Sequence, residues 1–229
     1  MYLKKTFLAV IPARGGSKRL PRKNILDLNG KPLIAWSIKA GLKSKYIDKV
    51  VVSSDDKEVL DISQDYGADT IKRPDSLASD TATTFDAIKH TIQNVKKYDY
   101  IILLQATSPL RDEKHIDGAI ELLESKNADA VVSVCEMDHS PLWSNTLDDS
   151  LSMKSFLRDG VLNKRSQDLE EYFRLNGAIY ICEIDKFLKE KSFFLKDNVF
   201  AYKMDRENSI DIDDRYDFDL ANFYLTQKK

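Results

Sequence analysis

Short β-branched runs alternate with amphipathic segments through the first 135 residues, and that alternation limits the chain to a small set of folds. Apolar runs at 7–11, 49–53, 69–72, 100–104 and 130–135 have the length and composition of buried strands. Between them, segments 33–43, 57–66, 84–95 and 112–125 space their apolar residues as helices do. Strand, helix and strand in repeated order build a parallel sheet with crossover helices on its faces. The expected fold class is α/β, a Rossmann-like doubly wound, mostly parallel sheet. With 229 residues and 42% hydrophobic content, the chain supports one substantial core, and no Pro/Gly/Ser-rich linker divides it. The expectation is a single domain, 1–229.

The turn after the first strand is unusual. Ile11-Pro12-Ala13-Arg14-Gly15-Gly16-Ser17-Lys18-Arg19-Leu20-Pro21-Arg22-Lys23-Asn24 sets two glycines among five cationic side chains. Glycines let backbone N–H groups approach an anion, and Lys and Arg supply the countercharge, so the loop reads as a phosphate cradle. It lies where open α/β sheets bind ligands, beyond the carboxyl end of a strand. The spacing fits neither the P-loop nor the dinucleotide fingerprint, which removes the main support for an ATPase or a dehydrogenase. Two alternatives remain at this point, a nucleic-acid patch and a plain solvated turn. Against the first, Lys+Arg number 35 and Asp+Glu 37, and no aromatics interleave with the cations.

The second half differs. Residues 138–174 are polar and irregular, with Pro141 and Gly160, and a stretch of that length in a compact domain has a function. Strands are expected at 178–182 and 199–203, and a closing helix at 216–225. Ile210-Asp211-Ile212-Asp213 alternates apolar and acidic residues, so in a strand both carboxylates face one side. Two hard oxygen ligands beside phosphates suit Mg²⁺. The alternative is an edge strand with its acidic face in solvent. Asp214, Asp217 and Asp219 read as helix-start and surface charges. His90, His115 and His139 lack metal-ligand spacing, so zinc is unsupported.

Two cysteines, Cys135 and Cys182, form no C-x-x-C pair and read as small buried residues on strands. The N-terminus lacks the apolar stretch of a signal peptide or membrane span. A cytoplasmic enzyme is expected, without nucleic-acid or membrane partners.

Five ordered blocks carry a family resemblance. They are the Arg14 to Asn24 loop, Arg73-Pro74 with Leu77-Ala78-Ser79-Asp80-Thr81-Ala82, Leu104-Gln105-Ala106-Thr107-Ser108-Pro109-Leu110-Arg111, Asn176-Gly177-Ala178-Ile179-Tyr180, and Ser209-Ile210-Asp211-Ile212-Asp213. In these the chain resembles the acylneuraminate cytidylyltransferase family, the CMP-sialate and CMP-legionaminate synthetases. The resemblance implies a nucleotide-diphospho-sugar transferase type of fold in which 138–175 is an inserted dimerisation arm, hence a homodimer. The alternative is a lid on a monomer.

It also implies transfer of CMP from CTP to the anomeric hydroxyl of a nine-carbon 2-keto sugar acid, with release of pyrophosphate. On that reading Arg14 and Lys23 neutralise the triphosphate, amides of Gly15, Gly16 and Ser17 hold its oxygens, and Mg²⁺ on Asp211 and Asp213 polarises the α-phosphate. Asn24 stands near the ribose or phosphate, while Arg73 and the turn from Ala82 to Thr84 read the base. Gln105, Arg165, Arg174, Asn176 and Tyr180 surround the sugar acid, and Phe193 and Phe194 line its acyl-bearing end. Phe193 and Phe194 also fit as plain core residues. No histidine is an obvious general base, and a carboxylate or a hydroxide stays open.

Trp143 offers an apolar face where sialate-specific relatives can have a lysine, which points to a less hydroxylated acid of the legionaminate type. Pseudaminate and the eight-carbon acid Kdo are alternatives. A catalytically silent nucleotide-sugar binding subunit is a further one, as is a transferase using UTP or GTP.

Overall fold

The computed structural model describes residues 2, 4–79 and 81–227. Asp80, part of one motif quoted above, lies outside them. A seven-stranded sheet runs in the order β3-β2-β1-β4-β6-β5-β7. Its strands are β1 (Phe7–Pro12), β2 (Lys49–Ser54), β3 (Asp69–Lys72), β4 (Tyr100–Leu103), β5 (Ala130–Glu136), β6 (Phe173–Glu183) and β7 (Val199–Lys203). All neighbours pair in parallel except β6, which is antiparallel to both β4 and β5. The α/β reading stands, with one reversed strand inside the sheet.

Helices cover both faces. On one face α1 (Leu33–Lys43), α2 (Lys57–Asp65) and α4 (Glu113–Ser125) bury Ile34, Ile38, Val59, Ile116 and Ile120 against Phe7, Ala9 and Ile11. On the other, α3 (Thr84–Gln93) and α5 (Ile184–Glu190) set Ile88 and Phe187 against Leu8, Val10 and Ile101. Alternate residues of β1 thus serve opposite cores, as the two-residue period of a strand demands. A third cluster joins α6 (Arg215–Gln227) through Phe218, Ala221 and Leu225 to Leu20, Leu28, Leu33 and Ile212. It fastens the last helix to the loop after β1.

The helix starts follow capping chemistry. Asp56 accepts the amides of Glu58 and Val59 at 2.8 and 3.3 Å, and Thr83 with Asp86 forms a reciprocal box. Asp214 accepts the amides of Tyr216 and Asp217, while Asp217 accepts those of Asp213 and Asp214. Cys135 and Cys182 are buried, and burial pushes the Cys182 thiol up to about 12.

Three sequence expectations need correction. Residues 210–213 form an irregular connector with no ladder partner, held by the Ile212 amide on the Thr107 carbonyl at 2.8 Å. Alternation alone does not make a strand when no sheet edge lies alongside. Strand β6 begins at Phe173, five residues ahead of the expected 178, because polar Arg174 and Asn176 mask it. Helix α5 was not anticipated, since its seven residues are too few to display a period.

Between β5 and β6 the chain leaves the sheet and runs through short turns. Leu147, Leu151, Met153 and Leu162 on this excursion are exposed. Its two ends meet where the Met137 amide donates to the Tyr172 carbonyl at 2.9 Å. No described helix is long and apolar enough to cross a membrane.

Candidate active site

The cleft opens beyond the carboxyl ends of β1 and β4, where the strand order reverses and open α/β sheets take their ligands. It encloses about 570 Å³ and is lined by Arg14, Ser17, Lys23, Asn24, Arg73, Ala82, Thr84 and Gln105, among others. Residues from three connections, far apart in sequence, therefore meet in one space. A second depression of about 870 Å³ adjoins it and includes Arg174, Asp211 and Arg206. Asp213 lines both.

The loop after β1 is held by its own residues. Asn24 is buried, and its Nδ2 donates to the Arg14 carbonyl at 2.9 Å. The Gly15 amide donates to Asp55 Oδ1 at 3.1 Å and the Ser17 amide to the Gly15 carbonyl at 3.1 Å. Those two amides are engaged within the protein, and the loop presents the cationic side chains of Arg14, Lys18, Arg19 and Lys23 to the cleft. Gly15 and Gly16 do not line the cleft, and neither has a positive φ. Space is what requires glycine at 15, because a Cβ there would fall 2.6 Å from Asp56 Oδ2; at 16 nothing lies within 4 Å.

Lys23 reaches across the fold. Its Nζ donates to the Ile212 carbonyl at 2.5 Å and stands 3.6 Å from Asp213, which also pairs with Arg19 at 2.8 Å. Asp213 is exposed, whereas Asp211 is half-buried. Burial raises the Asp211 pKa, and the charge of Asp213 adds to that, against a hydrogen bond from the Thr107 hydroxyl. Gly177, at φ +74°, leaves a gap that a Cβ would fill, 3.0 Å from Gln105 Oε1 and 3.1 Å from Asp211 Oδ2. Gln105 Oε1 and Asp211 Oδ2 both border that gap, and hard oxygens of this kind suit Mg²⁺, although among the described residues no three acidic, histidine or cysteine side chains gather at one point.

Arg73 is only 4% exposed, with its Nε unpartnered and Nη2 3.8 Å from Asp55. Burial lowers its pKa, and Asp55 opposes that.

The residues expected around the sugar separate into groups. Gln105 lines the first space and Arg174 the second. Tyr180 lies close enough to Asp211 for that charge, after burial, to raise its phenol pKa. Phe194 is exposed and meets the Tyr180 ring edge-on at 6.3 Å. Phe193 is buried against Phe187 at 4.7 Å, which is the core alternative weighed for it from sequence. Asn176 is 1% exposed and its amide is fully engaged. Its Oδ1 accepts from Ser133 Oγ at 2.6 Å and the Ala178 amide at 3.2 Å, and its Nδ2 donates to Ser209 Oγ at 2.9 Å. It joins the irregular stretch of the β5/β6 ladder to the connector that holds Asp211, rather than reaching into either space. Trp143 and Arg165 lie on the excursion and line neither space; Arg165 pairs with Asp168 at 3.1 Å.

Some supporting residues have no role assigned from the sequence. Arg111 Nη2 donates to Ser37 Oγ at 2.7 Å, and Ser37 donates to the Gln105 carbonyl at 2.9 Å, which fixes the loop after β4. A serine on the apolar face of α1 was the available signal. Ser133 and Ser209, both fully buried, gave no such signal.

Comparison with known proteins shows the family. A family model described as cytidylyltransferase matches residues 8–227. The chain is 40% identical to an N-acylneuraminate cytidylyltransferase of Escherichia coli O18:K1:H7, over 99% of this chain and 54% of that protein. It is 37% identical to a CMP-N,N'-diacetyllegionaminic acid synthase of Legionella pneumophila, over 93% of this chain and 94% of the other. The chain thus spans about half the length of the first of these relatives. Its fold is shared by a CMP:2-keto-3-deoxy-manno-octonic acid synthetase solved in complex with CTP, at a TM-score of 0.75 and 19% identity, covering 98% of this chain and all of that one.

Proposed function

From the premise that the chain belongs to the cytidylyltransferase family, we propose that it transfers CMP from CTP to the anomeric hydroxyl of a nine-carbon 2-keto sugar acid. The hydroxyl oxygen bonds to the α-phosphorus, the bond from that phosphorus to the bridging oxygen breaks, pyrophosphate departs, and the hydroxyl proton passes to solvent. The observation that carries the reading is the junction at Asp213, where a cationic cleft and an adjoining acid-rich depression share one wall.

In this scheme Arg14 and Lys23 offset triphosphate charge, Arg73 meets the base, and Gln105, Tyr180 and Arg174 orient the sugar acid. Arg174 and Arg206 both line the depression, and since Arg206 pairs with Asp138, Arg174 is the planar fork proposed for the carboxylate. Asp211 and Asp213 would hold Mg²⁺, which when bound supplies positive charge against the phosphates. Lys23 holds the connector bearing both carboxylates to the phosphate loop, so phosphate and acid ends keep their spacing.

The exposed apolar residues of the excursion support a homodimer. Trp143 and Arg165, which line neither space of their own chain, would then serve the partner's site, and Trp143 favours an acid of the legionaminate type. A sedimentation experiment tests the dimer, which a monomer at micromolar concentration would sink. The cytoplasm is the proposed compartment.

Pyrophosphate release from CTP and Mg²⁺ is the direct test, run with N-acetylneuraminate, N,N'-diacetyllegionaminate, pseudaminate and Kdo in parallel. Release with a nine-carbon acid supports the reading. Silence with all four, despite CTP binding, would refute it in favour of a binding subunit.

A further inference from the structure

The Ser54-Asp55-Asp56 turn lies at the carboxyl end of β2, and the helix cap there belongs to Asp56. The Asp55 carboxylate points elsewhere. It accepts the Gly15 amide at 3.1 Å and lies 3.8 Å from Arg73 Nη2. The Arg73 amide also donates to the Ser54 carbonyl at 2.7 Å. One turn therefore holds the start of the phosphate loop and a buried arginine that lines the cleft. It holds the loop's far end too, since Asp56 pairs with Arg22 at 2.7 Å.

We infer that Asp55 is a positioning residue that fixes Arg73 and the phosphate loop at one spacing, and through them sets the fit of the nucleotide. This rests on the nucleotide reading of the cleft. Asp55 does not line the cleft, so it acts through Arg73 and Gly15 rather than on the ligand. The contact to Gly15 is a close approach that the sequence must permit, because a Cβ at 15 would collide with Asp56. A guanidinium on a flexible stem is ordered at an entropic cost, and a fixed carboxylate opposite it meets that cost before the ligand arrives. Arg73 Nε, buried without a partner, is then left as a donor for a bound ligand.

The test is calorimetric binding of CTP and of UTP, each with Mg²⁺, to the wild-type chain and to Asp55→Asn, Asp55→Glu, Arg73→Ala and the Asp55→Asn/Arg73→Ala pair. Asp55→Asn keeps an oxygen for Gly15 and removes the charge opposite Arg73. It is expected to weaken CTP binding roughly tenfold and to narrow the preference over UTP. KM for CTP should rise more than kcat falls. Asp55→Glu should recover part of the affinity, and Asp55→Asn should add nothing once Arg73 is gone. Wild-type affinity in Asp55→Asn, equal losses in the Asn and Glu variants, or additive losses in the pair would each overturn the inference. A wild-type chain that binds neither nucleotide would instead overturn the reading of the cleft, and the inference with it.

Discussion

The Lys23 ammonium donates to the Ile212 carbonyl at 2.5 Å, so the loop that follows the first strand is bonded to the connector that precedes the last helix. The contact spans 189 positions in sequence and brings the cations of one end to the carboxylates of the other.

Lys23→Ala should therefore lower kcat/KM for CTP by about 10²–10³ and also lower the thermal midpoint by a few degrees, because the Ile212 carbonyl loses its charged donor. Lys23→Arg should restore little, because a planar fork does not replace a compact point charge at a backbone carbonyl. Steady-state pyrophosphate release beside a melting curve reads both effects.

Asp211 sits at a cost. Burial, with Asp213 adding to it, raises its carboxyl pKa above that of the unfolded chain. Between those two values the native state holds the proton more tightly, so stability falls as pH rises through that window and stays lower above it. Asp211→Asn should raise the urea midpoint of the metal-free protein at pH 7 and have little effect near pH 3, while abolishing turnover. A lower midpoint at pH 7 would contradict this account.

Asn176 is a structural joint. Asn176→Ala leaves Ser133, Ser209 and the Ala178 amide short of a buried partner, and about 1–3 kcal/mol of unfolding free energy should be lost. Asn176→Asp should also destabilise, by replacing a donor to Ser209 with a buried charge. Urea unfolding of both variants checks this. A loss of sugar affinity with unchanged stability would instead favour a direct contact with substrate.

The three glycines near the site should respond unequally. Gly16→Ala should alter stability by no more than about 0.5 kcal/mol, since no atom lies in the way. Gly15→Ala forces Asp56 aside, and Gly177→Ala strains a φ of +74° while pressing on Gln105 and Asp211. Each should cost about 1–3 kcal/mol, and Gly177→Ala should also reduce turnover. Equal behaviour of Gly15→Ala and Gly16→Ala would show the loop to be more open than described.

Much of the sheet was legible because its signals are local. β-branched runs and apolar spacing depend on a few neighbours, so β3, β7 and α1 appear at the expected bounds. The first residues of β6 escaped because they are set off from the rest of the strand by an irregular stretch of ladder, where polar Asn176 is buried by hydrogen bonds that no periodicity announces. The connector 210–213 misled for the converse reason, since an alternating pattern was present without an edge to pair with.

The sequence alone determined which chemical groups the molecule has: the cationic loop, the paired aspartates, the arginine at 73 and the alternation that makes a parallel sheet. Only the tertiary structure decided how they are used. It turned the Gly15 amide toward Asp55, set Asp211 half-buried and Asp213 in the open, and spent the Asn176 amide inside the protein. Residue type and spacing fix local conformation and charge, whereas burial and hydrogen-bond partners come from segments distant in the chain, whose meeting depends on the packing of the whole core.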